Sequence, residues 1–181
     1  VKFREEVDPV WTYHTYTGVG YENFIEPYGE PKDIKDFALK AQLVNYDQYR
    51  ALIEGFSSHM WEWYTGTIIW KTQNPWTSMR GQMYDYYLDP NACLFGLRKG
   101  SEMVHIMCNP VTGRIMLVNN SFEPLYDNII VAKSYDMEGN ETLITQENSY
   151  IGASDAKKMM AINIRKDESV KRDGGFLYLQ L

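Results

Sequence analysis

The sequence predicts an α+β chain, helical and loop-like in its first part and strand-rich in its second. Three observations carry that expectation. Apolar residues recur at helical spacing before about residue 103 and alternate after it. All five Trp residues (Trp11, Trp61, Trp63, Trp70 and Trp76) fall in the first part. Closely spaced turn signals then cut the second part into about six short strands.

Residues 1–32 read as an irregular aromatic loop. Trp11, Tyr13, His14, Tyr16, Tyr21, Phe24 and Tyr28 are interrupted by Pro9, Gly18, Gly20, Pro27, Gly29 and Pro31. Neither a period of 2 nor of 3.6 fits, and so long a loop is usually functional or disordered. Asp33 predicts an N-cap, with a helix running on to about Tyr64. Ile34, Phe37, Ala38, Ala41, Val44, Leu52 and Phe56 form one apolar stripe. Leu39, Leu43, Tyr46, Tyr49 and Ile53 form an adjacent one, so the helix expects more than one neighbour. Gly55 is expected to break or bend it, with Ser57–Tyr64 as a separate short helix.

Gly66 fits a helix C-cap, and Thr67–Trp70 predicts a strand buried on both faces, as in parallel sheets. Lys71-Thr72-Gln73-Asn74-Pro75-Trp76 then reads as a polar loop at that strand's C-terminal end. Helical segments are expected near Met83–Tyr87 and Asn91–Gly100. Beyond Met103, strands are expected at Val104–Cys108, Arg114–Val118, Ile129–Tyr135, Glu141–Gln146, Lys158–Ile164 and Phe176–Leu181. Turns at Asn109–Gly113 and Met137–Asn140 separate them. That spacing suits an antiparallel β-sandwich of immunoglobulin-like type.

Composition bounds the partners. The 181 residues hold one domain or two small ones. With 18 Lys+Arg against 24 Asp+Glu the net charge is −6, which leaves no basic surplus to displace counterions from phosphates. A nucleic-acid partner is therefore not expected. No apolar run approaches the ~18 residues of a membrane span, so no membrane partner is expected. The first residue is Val1, which reads as a processed, trimmed or partial chain. No targeting segment is visible, and a secreted, periplasmic or lysosome- or vacuole-like compartment stays open. Cys93 and Cys108 read as two free thiols or one bridge. Asn119-Asn120-Ser121 and Asn140-Glu141-Thr142 are glycosylation sequons.

Aromatics make up 14% of the chain, a surplus that sugar-binding surfaces use. Trp70, Lys71, Gln73, Asn74 and Trp76 follow the one parallel-type strand, where barrel active sites lie. Indole faces stack on sugar C–H faces, and amides hydrogen-bond hydroxyls. Two readings stay open: a sugar-binding wall, or core Trp residues with amides that satisfy backbone groups. His14 reads either as an acid, base or hydroxyl ligand, or as a packed histidine. His59 and His105 have no partner at ligand spacing, so neither a metal nor a cofactor is expected. Glycoside hydrolysis needs two converging carboxylates, about 5–5.5 Å apart for retention. Glu54, Glu62, Asp85 and Asp89 follow no predicted strand, and Glu54 and Glu62 read as helix-surface groups. Ser57-Ser58-His59 is no nucleophile and base, because helix neighbours do not face each other. Gly18-Val19-Gly20 lacks the third glycine of a phosphate loop. The residues alone thus supply aromatic and amide binding chemistry without a complete catalytic set.

The run Phe37-Ala38-Leu39-Lys40-Ala41-Gln42-Leu43-Val44-Asn45-Tyr46 and the run Ile68-Ile69-Trp70-Lys71-Thr72-Gln73-Asn74-Pro75-Trp76 resemble the C-terminal part of glycoside hydrolase family 2. The branch they resemble holds mannosylglycoprotein endo-β-mannosidases and exo-β-glucosaminidases. Trp11-Thr12-Tyr13-His14, Glu54-Gly55, Arg80-Gly81-Gln82-Met83-Tyr84-Asp85, Glu102-Met103-Val104-His105-Ile106 and Ile115–Asn119 follow in the family's order. The resemblance covers nearly the whole chain and is most specific over the first 102 residues.

It implies that residues 1–102 are the C-terminal portion of a (β/α)8 catalytic barrel, a helical, one-strand remnant. Residues 103–181 would be the next immunoglobulin-like sandwich, lacking a last aromatic-bearing strand. The family's two catalytic Glu residues would lie upstream, so no catalytic residue is expected in this chain. Trp70 would be the aromatic wall under the sugar, and Gln73 and Asn74 the polar pair after it. Many relatives carry Asn-Asp or Asn-Ser there, a departure of this sequence from the family's pattern. Trp76 would shape the pocket, and Tyr13 and His14 would lie on the loop beyond the nucleophile. The expected activity is that of a retaining β-glycosidase acting on β-mannoside or β-glucosaminide linkages in oligosaccharides, with this chain inactive alone. Its partners would be the oligosaccharide and the rest of the polypeptide or an oligomer partner. The alternative is a non-catalytic carbohydrate-binding or subunit-contact sandwich module.

Overall fold

Asp33 starts the long helix as its residue type and position predict. Its Oδ1 accepts hydrogen bonds from the backbone N–H of Lys35 and of Asp36, each 2.9 Å. The computed structural model describes residues 13, 21–77, 82–163 and 174–181. Within them α1 (Tyr21–Ile25) leads into a 3-10 turn (Glu26–Tyr28). Helix α2 (Ile34–Ser57) and helix α3 (Ala92–Gly100) follow.

Helix α2 passes through Gly55 and ends at Ser57, against the expected break at Gly55. The Ser58 hydroxyl donates to the Gly55 carbonyl at 2.8 Å, satisfying one of the last orphan acceptors there. Residues 58–64 are turns closed by a Met60–Tyr64 bridge, not the expected second helix. Trp61 sits at φ +66°, a left-handed conformation that no helix continues through.

One stripe of α2 is buried through Phe37 and Val44, and the adjacent one only through Ile53. The adjacent stripe leaves Leu39 61% and Leu43 44% exposed. Helix α3 lies against α2 at a glycine contact. A Cβ on Gly96 would stand 2.2 Å from the Tyr46 carbonyl oxygen. The Ala92 N–H donates to Gln42 Oε1 at 2.8 Å, fixing the start of α3 on the same helix.

Residues 67–70 form no strand: the segment is extended but has no ladder partner among the described residues. The burial on both faces that its sequence predicts is also missing, since Ile68 is 96% exposed. A parallel strand needs flanking strands, and the described residues supply no second one of that type. Residues 83–87 are turn and bridge rather than helix.

The remaining strands are β1 (Val104–Cys108), β2 (Arg114–Asn119), β3 (Leu125–Asp136), β4 (Glu141–Ile151), β5 (Asp155–Ala161) and β6 (Gly175–Gln180). They form two three-stranded antiparallel sheets, ordered β1-β2-β5 and β4-β3-β6. Leu117 from one sheet and Ile130 and Ile151 from the other build a common core, flanked by Val104, Ile106, Leu125, Met159 and Met160. Strand β5 begins three residues before the expected Lys158, because Asp155 and Ala156 pair with Asn119 and Val118. Strands β3 and β4 outrun their expected ends because their pairing continues through two register shifts to Leu125 and Ile151.

The chain divides into two compact units. One joins Val1–Ile53 with Gly66–Ser101, and the other joins Glu54–Thr65 with Glu102–Leu181. Within the second, Trp61 Nε1–H donates to the Ser154 carbonyl at 2.6 Å, tying the 54–65 segment to the start of β5.

Candidate functional site

The first unit presents an open aromatic segment over residues 66–76. It is held from one side by the turn at residues 83–91. The Tyr84 N–H donates to the Thr72 carbonyl at 3.0 Å, and Gln73 and Tyr84 form a bridge. The turn is itself closed by Asp85, whose Oδ1 accepts from the N–H of Tyr87 at 2.8 Å and of Asp89 at 3.0 Å. The Asn91 N–H donates to the Met83 carbonyl at 2.8 Å, which passes the chain into α3.

On this frame Trp70 is 88% exposed and Trp76 61%. Gln73 is exposed beside them, whereas Asn74 is buried at 5% and engaged inside the protein. The two amides expected as a pair therefore face different surroundings: one meets solvent and the other anchors the loop. The Lys71 Nζ stands 5.8 Å from the Trp76 ring centroid, a cation–π contact. The Trp70–Lys71 peptide bond is cis. Tyr13 is 82% exposed, and His14 lies outside the described residues. The segment can stack two indole faces against an apolar ring face and offer an amide and an ammonium to its polar edge.

The carboxylates with predicted roles are otherwise occupied. Glu62 Oε2 is 2.7 Å from His59 Nδ1, and the His59 ring stacks on Trp63 at 4.7 Å. Glu54, expected on a solvated helix face or in a helix-surface ion pair, is instead 2.8 Å from His105 Nε2 on another element. The other ring nitrogen of His105 is 3.0 Å from Glu102 Oε2. His105 is 2% exposed and is thus held between two carboxylates in the second unit. Residue spacing could not reveal this, since Glu54 and His105 lie 51 positions apart. Among the described residues no group of three or more His, Cys, Asp or Glu is placed to hold a metal.

Cys93 and Cys108 are free thiols, so the bridge left open by the sequence is absent. Burial pushes the Cys93 thiol up to about 11. Burial, and then the Glu54 charge, also raise Cys108. The first sequon is closed to glycosylation. Asn119 is fully buried, and its Nδ2 donates to the carbonyls of Glu123 and Gly152, each at 2.8 Å.

Comparison with known proteins places this geometry among glycosidases. The chain is 46% identical over 142 residues to the mannosylglycoprotein endo-β-mannosidase of Lilium longiflorum, covering 76% of this chain and 15% of that protein. It is 34% identical over 117 residues to the exo-β-D-glucosaminidase of Hypocrea jecorina, covering 63% of this chain and 13% of that one. The chain thus spans about a seventh of the length of the curated relatives it matches. The Amycolatopsis orientalis exo-chitosanase CsxA, solved with PNP-β-D-glucosamine, superposes with a TM-score of 0.72 at 26% identity over 79% of this chain and 18% of its own. A β-D-mannosidase from Dictyoglomus thermophilum shares the fold alone, with a TM-score of 0.78 at 19% identity over 94% of this chain and 21% of its own. No family model matches. The homologues of this chain are glycoside hydrolases of the family 2 type, the mannosylglycoprotein endo-β-mannosidases and exo-β-D-glucosaminidases that its own motifs resemble.

Proposed function

We propose that the chain is a segment of a larger retaining β-glycosidase that cleaves β-mannoside or β-glucosaminide linkages in oligosaccharides. In that reading residues 1–102 belong to the last part of a (β/α)8 barrel, and residues 103–181 to the immunoglobulin-like sandwich that follows it. The observation that carries it is the Gly66–Trp76 segment. It has the sequence of a barrel strand and its following loop, yet among the described residues it has no strand partner, and Ile68 and Trp70 are exposed. Barrel strands contributed by the rest of the polypeptide would flank it, and the exposed Leu39 and Leu43 stripe of α2 would meet neighbouring barrel elements. The match to about 15% of a relative's length is consistent with that arrangement.

Two carboxylates upstream of this chain would perform the chemistry. One would attack the anomeric carbon while the other protonates the leaving oxygen, then activates water for the second displacement. Trp70 and Trp76 would form the wall on which the sugar ring stacks. Gln73 would bond a hydroxyl, and Asn74 would hold the loop that carries them. Tyr13 and His14 would contribute from the preceding loop.

The test expresses both the full-length polypeptide that contains these residues and the 181-residue chain alone. Both are assayed on an aryl β-mannoside, an aryl β-glucosaminide and a mannosylated glycopeptide. Turnover with retained anomeric configuration is expected from the full-length protein only. Turnover by the pure short chain would refute its lack of a catalytic carboxylate. Inactivity of the full-length protein on all three substrates would refute the glycosidase reading.

A further inference from the structure

We infer that Lys71 sets the sugar preference of this site, admitting neutral glycosides and disfavouring glycosides of a cationic amino sugar. The inference rests on the reading of residues 70–76 as pocket wall, and it separates the two substrate classes which that reading leaves together.

The geometry is that of a shared ring. The Lys71 Nζ lies 5.8 Å from the centroid of Trp76. The preceding residue is Trp70, and the Trp70 and Trp76 indoles are 88% and 61% exposed. A sugar stacked on Trp76 therefore shares its ring with a fixed positive charge. Among the described residues no carboxylate lies within ion-pairing distance of that Nζ, so nothing there neutralises it. Lys71 is only partly exposed, which limits how far it can swing into solvent.

The chemistry of the two ligands then differs in sign. A mannoside offers hydroxyl oxygens, which accept from an ammonium. A glucosaminide carries an amine at the 2-position, and once protonated it offers donors and a like charge. Like charges a few ångströms apart beside low-dielectric ring faces repel more strongly than they would in bulk water. The relatives found here divide along that same line, one named for a mannosidase activity and others for glucosaminidase activity.

The experiment compares the full-length enzyme with its Lys71→Glu and Lys71→Met variants. Each is assayed at mildly acidic pH, where the amine is protonated, on an aryl β-glucosaminide and on whichever β-mannoside the wild type turns over. The quantity read is the ratio of the two kcat/KM values. The wild type should favour the mannoside. Lys71→Glu should raise the glucosaminide-to-mannoside ratio on the order of tenfold, the scale of one partly screened charge reversal, and Lys71→Met should raise it less.

A ratio unmoved by both substitutions overturns the inference while leaving the glycosidase reading intact. So does a wild type that prefers the glucosaminide. Loss of both activities in both variants also overturns it, since removing a charge that repels the amino sugar should not abolish turnover of the glucosaminide. A wild type that cleaves neither class overturns the glycosidase reading itself.

Discussion

His105 Nε2 lies 2.8 Å from Glu54 Oε1, joining the last turn of α2 to strand β1 inside the second compact unit. The ring is 2% exposed and its Nδ1 faces Glu102 at 3.0 Å. Carboxylates only accept, so both contacts are hydrogen bonds only when both ring nitrogens carry protons. Removing the ring leaves Glu54, which is 16% exposed, with a partly desolvated carboxylate and a lost partner. His105→Ala should therefore destabilise the chain by about 2–3 kcal/mol, below the full penalty for a sealed ion pair because solvent reaches Glu54. Glu102→Ala should cost under about 1 kcal/mol, because that carboxylate is 43% exposed. Urea unfolding of the two variants measures the difference, and equal losses would contradict the burial argument.

Gly96 is where α3 touches α2. The position a Cβ would take lies 2.2 Å from the Tyr46 carbonyl oxygen and 3.2 Å from the Arg50 nitrogen, both backbone atoms of a helix that cannot yield locally. Gly96→Ala should cost at least about 2 kcal/mol, because relieving the clash moves one helix off the other. Gly55→Ala is the matched control. Nothing lies within 4 Å of its added Cβ, and alanine favours the helix, so stability should hold or rise by a few tenths of a kcal/mol. A thermal melt that ranks the two the other way would refute the contact.

Local chemistry made part of this fold legible. Asp33 caps α2 because its carboxylate meets two helix N–H groups within three residues, a relationship confined to one turn. Strand β1 was readable from alternation alone and runs Val104–Cys108 as expected. The Glu54–His105 contact has no such signature, because it depends on where two elements meet in space. The bounds of β5 were hidden for a related reason: its register on β2 extends it to Asp155, past the residues whose alternation marks a strand. Thr67–Trp70 reads as a buried strand because its apolar run describes a sheet interior, which these residues do not build by themselves. The positive φ of Trp61, which ends any helix there, leaves no mark in residue type.

Cys93 and Tyr28 are among the groups that make the protein alkali-sensitive. Burial pushes the Cys93 thiol up to about 11 from 9.0. The Tyr28 hydroxyl, bonded to the Asp47 carboxylate and partly buried beside its charge, is pushed up to about 12 from 10.0. In the window above each unfolded value the unfolded chain has lost a proton that the folded chain still holds, so stability falls as pH rises. The Cys93 contribution is complete below pH 9.0 and lost through about 11, and that of Tyr28 is complete below 10.0 and lost through about 12. The urea midpoint should therefore decline steadily from pH 9 to pH 12. Tyr28→Phe should flatten the upper part of that decline; an unchanged slope would mean the hydroxyl contributes nothing.

Trp70 is the most specific test of the wall. At 88% exposure its ring buries little when the chain is alone, so Trp70→Ala should leave the melting temperature of the isolated chain within about 2 °C. In the full-length enzyme the same substitution should lower kcat/KM on the turned-over glycoside by roughly tenfold or more, the loss of one aromatic stacking surface. A large stability loss in the isolated chain with unchanged catalysis would assign Trp70 to packing instead.

Leu39 and Leu43 test what covers helix α2. They lie one turn apart, 61% and 44% exposed, on the stripe beside the buried Phe37 and Val44. Ile68 at 96% adds apolar surface in the same unit. Exposed apolar side chains of this kind drive association in water, so the isolated chain should self-associate at micromolar concentration. Leu39→Lys with Leu43→Lys should shift sedimentation toward monomer without lowering the melting temperature, because neither side chain belongs to the buried stripe. The same pair in the full-length protein should have the opposite effect and destabilise it, because there barrel neighbours would bury both leucines and a lysine ammonium would be stranded among them. Destabilisation confined to the full-length protein would identify the rest of the polypeptide as the cover, and an unaffected full-length protein would leave this face free in the enzyme.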